Sequence, residues 1–139
     1  MFMPMENYSL TELNDLSYRV IGAAMEVHDY LGPGLLESMY EECFLIELRL
    51  QGIQAEAQRF LHINYKGEMT KNRYRLDVLV EGKLLVEIKA CKEIKPIDMA
   101  QTITYLKLSK LRLGLIINFN VLQLRHGIKR VIHDENDWS

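Results

Sequence analysis

Cysteine is scarce in this chain: Cys43 and Cys91 are its only two in 139 residues. That is too few for a disulfide framework, and the pair lacks metal-site spacing, so both read as buried free thiols of a reducing compartment. Long apolar runs are missing as well, and nothing approaches the roughly 20 residues a membrane span needs. The opening MFMPMENYSL has no basic region leading into an apolar one, which predicts no secretory leader and a cytoplasmic protein. Repeats, low-complexity tracts and Pro/Gly-rich linkers are also absent. The expectation is one domain over residues 1–139, with 1–8 and 134–139 as flexible tails.

A hydrophobic share of 48% beside 26% charged residues is enough to build a core and keep it in water. The net charge of −2 conceals an asymmetry. Residues 1–55 hold two arginines against nine acids, whereas residues 56–133 hold fifteen Lys and Arg against seven acids. A basic half fits phosphate groups, and Arg73, Arg75, Lys92 and Lys95 are its candidates for nucleic-acid contact.

Ser9-Leu10-Thr11-Glu12 has the form of a capping box, and Leu13, Leu16, Val20, Ala23, Ala24, Val27 and Leu31 follow at helical spacing. Gly32 and Pro33 stop that helix. A second helix is expected from about Leu35 to Leu50, then strands near 55–65, 72–81 and 84–91. Pro96 opens a third helix reaching about Lys110, and LGLIINF (113–119) reads as a fully buried strand. VLQLR and IKRVIH are expected as short edge strands around a turn at His126-Gly127. The order α-α-β-β-β-α-β-β predicts an α/β fold, a mixed sheet with helices on both faces.

The segment YRLDVLVEGKLLVEIKA (74–90) places three charges in an apolar hairpin: Asp77, Glu87 and Lys89. Side chains alternate between the faces of a strand, so all three can gather on one side. Opposition of Asp77 and Glu87 requires the odd-length loop Glu81-Gly82-Lys83 or its bulged equivalent; a two-residue loop separates the acids. Both carboxylates are expected to face the helix that carries Glu37. Mg²⁺ and Mn²⁺ take carboxylate oxygens, waters and phosphate oxygens as ligands. A lysine two positions along the strand can steady an attacking water or the charge developing on a phosphate.

The spacing of Asp77 and Glu87-Ile88-Lys89 resembles the D…ExK signature of PD-(D/E)XK nucleases. Gln101-Thr102-Ile103-Thr104-Tyr105 looks like the QxxxY helix of the branch that contains bacterial recombination exonucleases. GLLESMY (34–40) reads GxxExxY, and the chain is similar from about Leu16 to Val131 to the small bacterial proteins named for that motif. The resemblance implies a PD-(D/E)XK nuclease-like three-layer core and hydrolysis of phosphodiesters, of DNA, without an organic cofactor. Asp77 and Glu87 would bind Mg²⁺ or Mn²⁺, and Glu37 would add a ligand directly or through water. Lys89 would assist catalysis, while Gln101 and Tyr105 would line the cleft. Where relatives lead one to expect a histidine just before Ala100-Gln101, this chain carries Asp98.

Tyr40 reads as core packing, and His28 as a structural cation near a helix end. The competing reading of the whole chain is a catalytically silent module that binds nucleic acid or a protein partner. A homo-oligomer is compatible with either.

Overall fold

A computed structural model describes residues 9–134. The expected tails lie outside the described residues, except Asp134, whose Oδ2 stands 3.5 Å from Arg112 Nη2.

Helix α1 (Leu10–Leu31) starts on a complete capping box: Ser9 Oγ accepts from Glu12 N at 3.1 Å, and Ser9 N donates to Glu12 Oε2 at 3.3 Å. Its stripe of Leu13, Leu16, Val20, Ala23, Ala24 and Val27 is buried. Gly32 ends it at φ 72, a conformation that costs glycine little. Helix α2 (Glu37–Leu50) begins later than Leu35, because Leu36 stays extended at φ −68, ψ 146. Its inward face is Tyr40, Phe44 and Leu48.

Strands β1 (Ala55–Tyr65), β2 (Glu68–Val80), β3 (Leu84–Lys89), β4 (Leu113–Asn118) and β5 (Ile128–Ile132) form one sheet in the order β1-β2-β3-β4-β5. Helix α3 (Pro96–Ser109) carries the chain from β3 to β4, the one parallel pair among the described strands; the other neighbours are antiparallel. Val78, Val80, Leu84, Val86, Ile88, Leu115 and Ile117 pack with α1 and α2, whereas Leu79, Leu85 and Ile116 pack with Tyr105 and Leu106 of α3. The result is the expected three layers, a mixed sheet between helices. Gly114 sets the closeness of the α3 layer, since a β-carbon there would stand 3.3 Å from both Leu106 and Thr102.

Two expectations change. β2 starts at Glu68 rather than near 72, because Lys66 (φ 53) and Gly67 (φ 96) form a two-residue turn with positive φ at both positions, the geometry that suits a twisted hairpin. VLQLR is not a strand: it bends and closes in a 3₁₀ turn at Leu124–Gly127. There the chain lies against the end of β4 so tightly that a β-carbon on Gly127 would meet the Asn118 carbonyl. His28 Nε2 donates to Val121 O at 2.7 Å and pins the same loop, the structural role expected for it.

Candidate active site

The hairpin between β2 and β3 has the register that co-location of the acids requires. Val80 faces Leu84, Leu79 faces Leu85 and Val78 faces Val86, which leaves Glu81-Gly82-Lys83 as the loop. Glu81 (φ 51) and Gly82 (φ 69) make the turn, and Lys83 N donates to Val80 O at 3.1 Å. One step further, where Asp77 and Glu87 would oppose each other, the ladder ends. β2 continues with β1 alone and β3 with β4, so the sheet forks at the two acids.

Side chains replace the missing ladder bonds at the fork. Asp77 N donates to Glu87 Oε2 at 2.9 Å, and Ile88 N donates to Asp77 Oδ2 at 2.8 Å. Each carboxylate is thereby fixed by the backbone of the other's strand through one oxygen. Opposite Asp77, Gln58 takes a left-handed φ of 57, and strand alternation breaks: Leu76 packs on the α3 side while Val78 packs on the α1/α2 side. Both neighbours of Glu87 pack towards α1 and α2, so Glu87 points to the α3 side. The expectation that both acids face the Glu37 helix is therefore corrected for Glu87. A strand whose two flanking residues are buried on one face must show the residue between them to the other.

Burial makes this pair electrostatically costly. Desolvation, then the adjacent Asp77 charge, pushes the Glu87 carboxyl from 4.5 up to about 8, against the hydrogen bond from Asp77 N and the Lys89 ammonium. Desolvation also raises Asp77, with a smaller push from Glu37, opposed by its Ile88 hydrogen bond, Lys89 and Arg75. At neutral pH without a cation, Glu87 holds a proton. Two carboxyl groups locked side by side, the buried one unable to keep its charge beside the other, are the donor chemistry a hard divalent cation repays.

α3 presents Asp98, Gln101 and Tyr105 at helical spacing along one stripe. Tyr105 is buried, tilted against Tyr74 with ring centroids 5.5 Å apart. Its hydroxyl is pushed up to about 12 by desolvation and then by the Glu87 charge, so it remains a hydrogen-bond donor at every physiological pH. Gln101 is exposed and makes no side-chain hydrogen bond among the described residues. Lys89, half-buried, pairs with Asp98 Oδ1 at 3.9 Å.

From the other layer, Glu37 sits exposed in the first turn of α2, near enough for its charge to raise both Asp77 and Glu87. It does not join them in a ready-made ligand set, for no three His, Cys, Asp or Glu side chains among the described residues are grouped to hold a metal. Tyr40, by contrast, is wholly buried. Its hydroxyl donates to Gly32 O at 2.6 Å and accepts from Leu35 N at 3.1 Å, and its ring stacks on Phe119 at 4.7 Å. That aromatic fixes the loop from which α2, and with it Glu37, departs.

The Arg75 charge opposes the rise of the Asp77 pKa, and Arg73 stacks its guanidinium 3.8 Å from the Phe60 ring centre. Lys92 and Lys95 are exposed on the segment that follows Lys89. Sequence reasoning missed two further groups. Glu41, one helical turn beyond Glu37, is raised by burial and also by Asp77; the i, i+4 spacing was its signal. Asn118, at the end of an otherwise apolar strand, clasps the chain after Lys89: its Nδ2 donates to Cys91 O at 2.9 Å and its Oδ1 accepts from Cys91 N at 3.1 Å.

No helix among the described residues is long and apolar enough to cross a membrane. No curated protein and no solved structure gives a significant match to the chain. A family model does match, over residues 14–131, which takes in the fork, the α3 stripe and both helices of the opposite layer: the chain belongs to the PD-(D/E)XK nuclease superfamily.

Proposed function

We propose that the protein hydrolyses phosphodiester bonds of DNA with a divalent cation, Mg²⁺ or Mn²⁺, held between Asp77 and Glu87, as a member of the GxxExxY group. One observation carries the reading. The buried Glu87 and the half-buried Asp77 are locked side by side by each other's backbone, Glu87 driven to a pKa of about 8, with a lysine two residues along its strand.

The backbone bonds engage one oxygen each of Asp77 and Glu87, Oδ2 and Oε2, and these are the two residues that would hold the cation. Glu37, at the exposed start of α2, adds its charge from across the fork through water. A bound cation of this class supplies polarisation of the phosphoryl group and acidification of an attacking water. Lys89 then steadies the negative charge that grows on the phosphate, and the Tyr105 hydroxyl, always protonated, donates a hydrogen bond beside it. Gln101, on the same stripe of α3, orients the substrate.

The nucleic acid approaches along the β1–β2 hairpin. Beyond the fork this hairpin has no β3 partner, and it carries Arg59, Lys66, Lys71, Arg73 and Arg75 with exposed Phe60, Tyr65 and Tyr74. Cations interleaved with aromatic rings suit a phosphate backbone and its bases. Arg75 delivers the strand to Asp77, and Lys92 and Lys95 border the other side of the fork.

Calorimetric titration with Mn²⁺ tests the site. Wild-type protein should bind and release protons at pH 7, because Glu87 must ionise to act as a ligand. Asp77→Ala and Glu87→Ala should each abolish the heat. Binding that survives both substitutions removes the cation from this site and turns the reading to a silent nucleic-acid or protein-binding module.

A further inference from the structure

Asp98, at the start of α3, is the ion-pair partner of Lys89. We infer that Asp98 is a positioning residue for Lys89, holding its ammonium over the carboxylate pair while the pair carries its cation; this rests on the nuclease reading above. Lys89 faces three acids: Asp77 and Glu87 on the strands and Asp98 at the start of α3. Asp77 loses its hold on it once a divalent cation occupies the carboxylate pair, and the cation itself repels an ammonium. Asp98 stands apart from that exchange. It lies 3.9 Å from Lys89 Nζ through Oδ1, while its Oδ2 accepts from Lys95 N at 2.8 Å, which fixes the carboxylate at the first turn of the helix.

The tether is anchored at both ends. Lys89 is held in the sheet by its register with Asn118 and by its carbonyl, which accepts from Phe119 N at 2.9 Å. Asp98 is held by the α3 start, where Pro96 supplies the first helical turn and Thr102 Oγ1 donates to the Asp98 carbonyl at 3.0 Å. Pairing a flexible lysine with a fixed carboxylate leaves the ammonium fewer places to be.

Asp98→Asn separates the tether from helix capping, because the amide oxygen can still accept from Lys95 N. In Asp98→Asn, turnover of DNA with Mn²⁺ should fall tenfold to a hundredfold, about the loss a small misplacement of a catalytic group causes, with Mn²⁺ and DNA affinities and thermal midpoint unchanged. In the Lys89→Ala background the same substitution should cost nothing. Independently of activity, the Lys89 Nζ resonance of ¹⁵N-lysine protein with Mg²⁺ bound should shift and broaden in Asp98→Asn. An unmoved Lys89 signal overturns the inference, as does an equal rate loss with and without Lys89. Wild-type protein that is inert although its Lys89 signal responds overturns the nuclease reading, and the catalytic role of the tether with it.

Discussion

Glu87→Gln should make the protein more stable, and increasingly so as pH rises. In the folded chain the Glu87 carboxyl titrates at about 8, against 4.5 for the free group, because it is desolvated beside Asp77. The folded state therefore binds this proton more tightly than the unfolded chain does. Folding stability is undiminished below pH 4.5, declines as pH climbs between 4.5 and about 8, and levels off above. At ~1.4 kcal/mol per pH unit, the decline amounts to about 5 kcal/mol, most of it between pH 5 and pH 8. Glutamine keeps an oxygen for the Asp77 N–H and never ionises, and without the second charge Asp77 is relieved as well. Urea unfolding in EDTA, run on both proteins from pH 5 to pH 9, reads the effect directly. The midpoint difference should widen by about 1 M or more over that range, given a slope of ~1–3 kcal/mol/M. Excess Mn²⁺ should shrink or reverse the gap, since only the wild type has both ligands. Curves that stay parallel from pH 5 to pH 9 mean that Glu87 is already ionised in the folded protein, and the electrostatic argument for a cation site fails.

Other outcomes follow from the same geometry. Lys89→Ala should lower turnover about a hundredfold or more with little change in Mn²⁺ or DNA affinity, in single-turnover cleavage set beside titrations, because its charge acts on the transition state. Arg73→Ala and Arg75→Ala should each weaken DNA binding and reduce the slope of log K against log salt by about 0.7–0.9, measured by fluorescence anisotropy. Tyr40→Phe should cost about 1–3 kcal/mol in urea unfolding, since it strips Leu35 N and Gly32 O of their shared buried partner.

Local rules made much of the fold legible before any coordinates. The capping box at Ser9 and Glu12 is one turn of chain, and it forms as written. The register of β2 on β3 follows from parity and a three-residue loop, so the meeting of Asp77 and Glu87 could be argued from spacing. What escaped depends on partners far along the chain. Nothing in Val121–Arg125 announces a 3₁₀ turn, because the turn is imposed by Gly127 lying on the Asn118 carbonyl and by His28 from α1. Gln58 carries no signature of a left-handed residue, yet its φ of 57 sits where the alternation around Asp77 breaks. The turn at Lys66-Gly67 was readable from its glycine, and overlooking it made β2 too short. Asp98 was visible only as an unexpected residue; that it reaches Lys89 depends on how α3 docks on the sheet.

Cleavage itself tests the central claim most directly. Purified protein is incubated with end-labelled single- and double-stranded DNA, and with RNA of the same sequence, in Mg²⁺, Mn²⁺ or EDTA, alongside Asp77→Asn and Glu87→Gln. The fork should yield phosphodiester products from DNA that need the divalent cation and disappear in both variants, each of which remains folded. Intact DNA under every condition, or cleavage that survives the loss of both carboxylates, contradicts a nuclease built on Asp77 and Glu87.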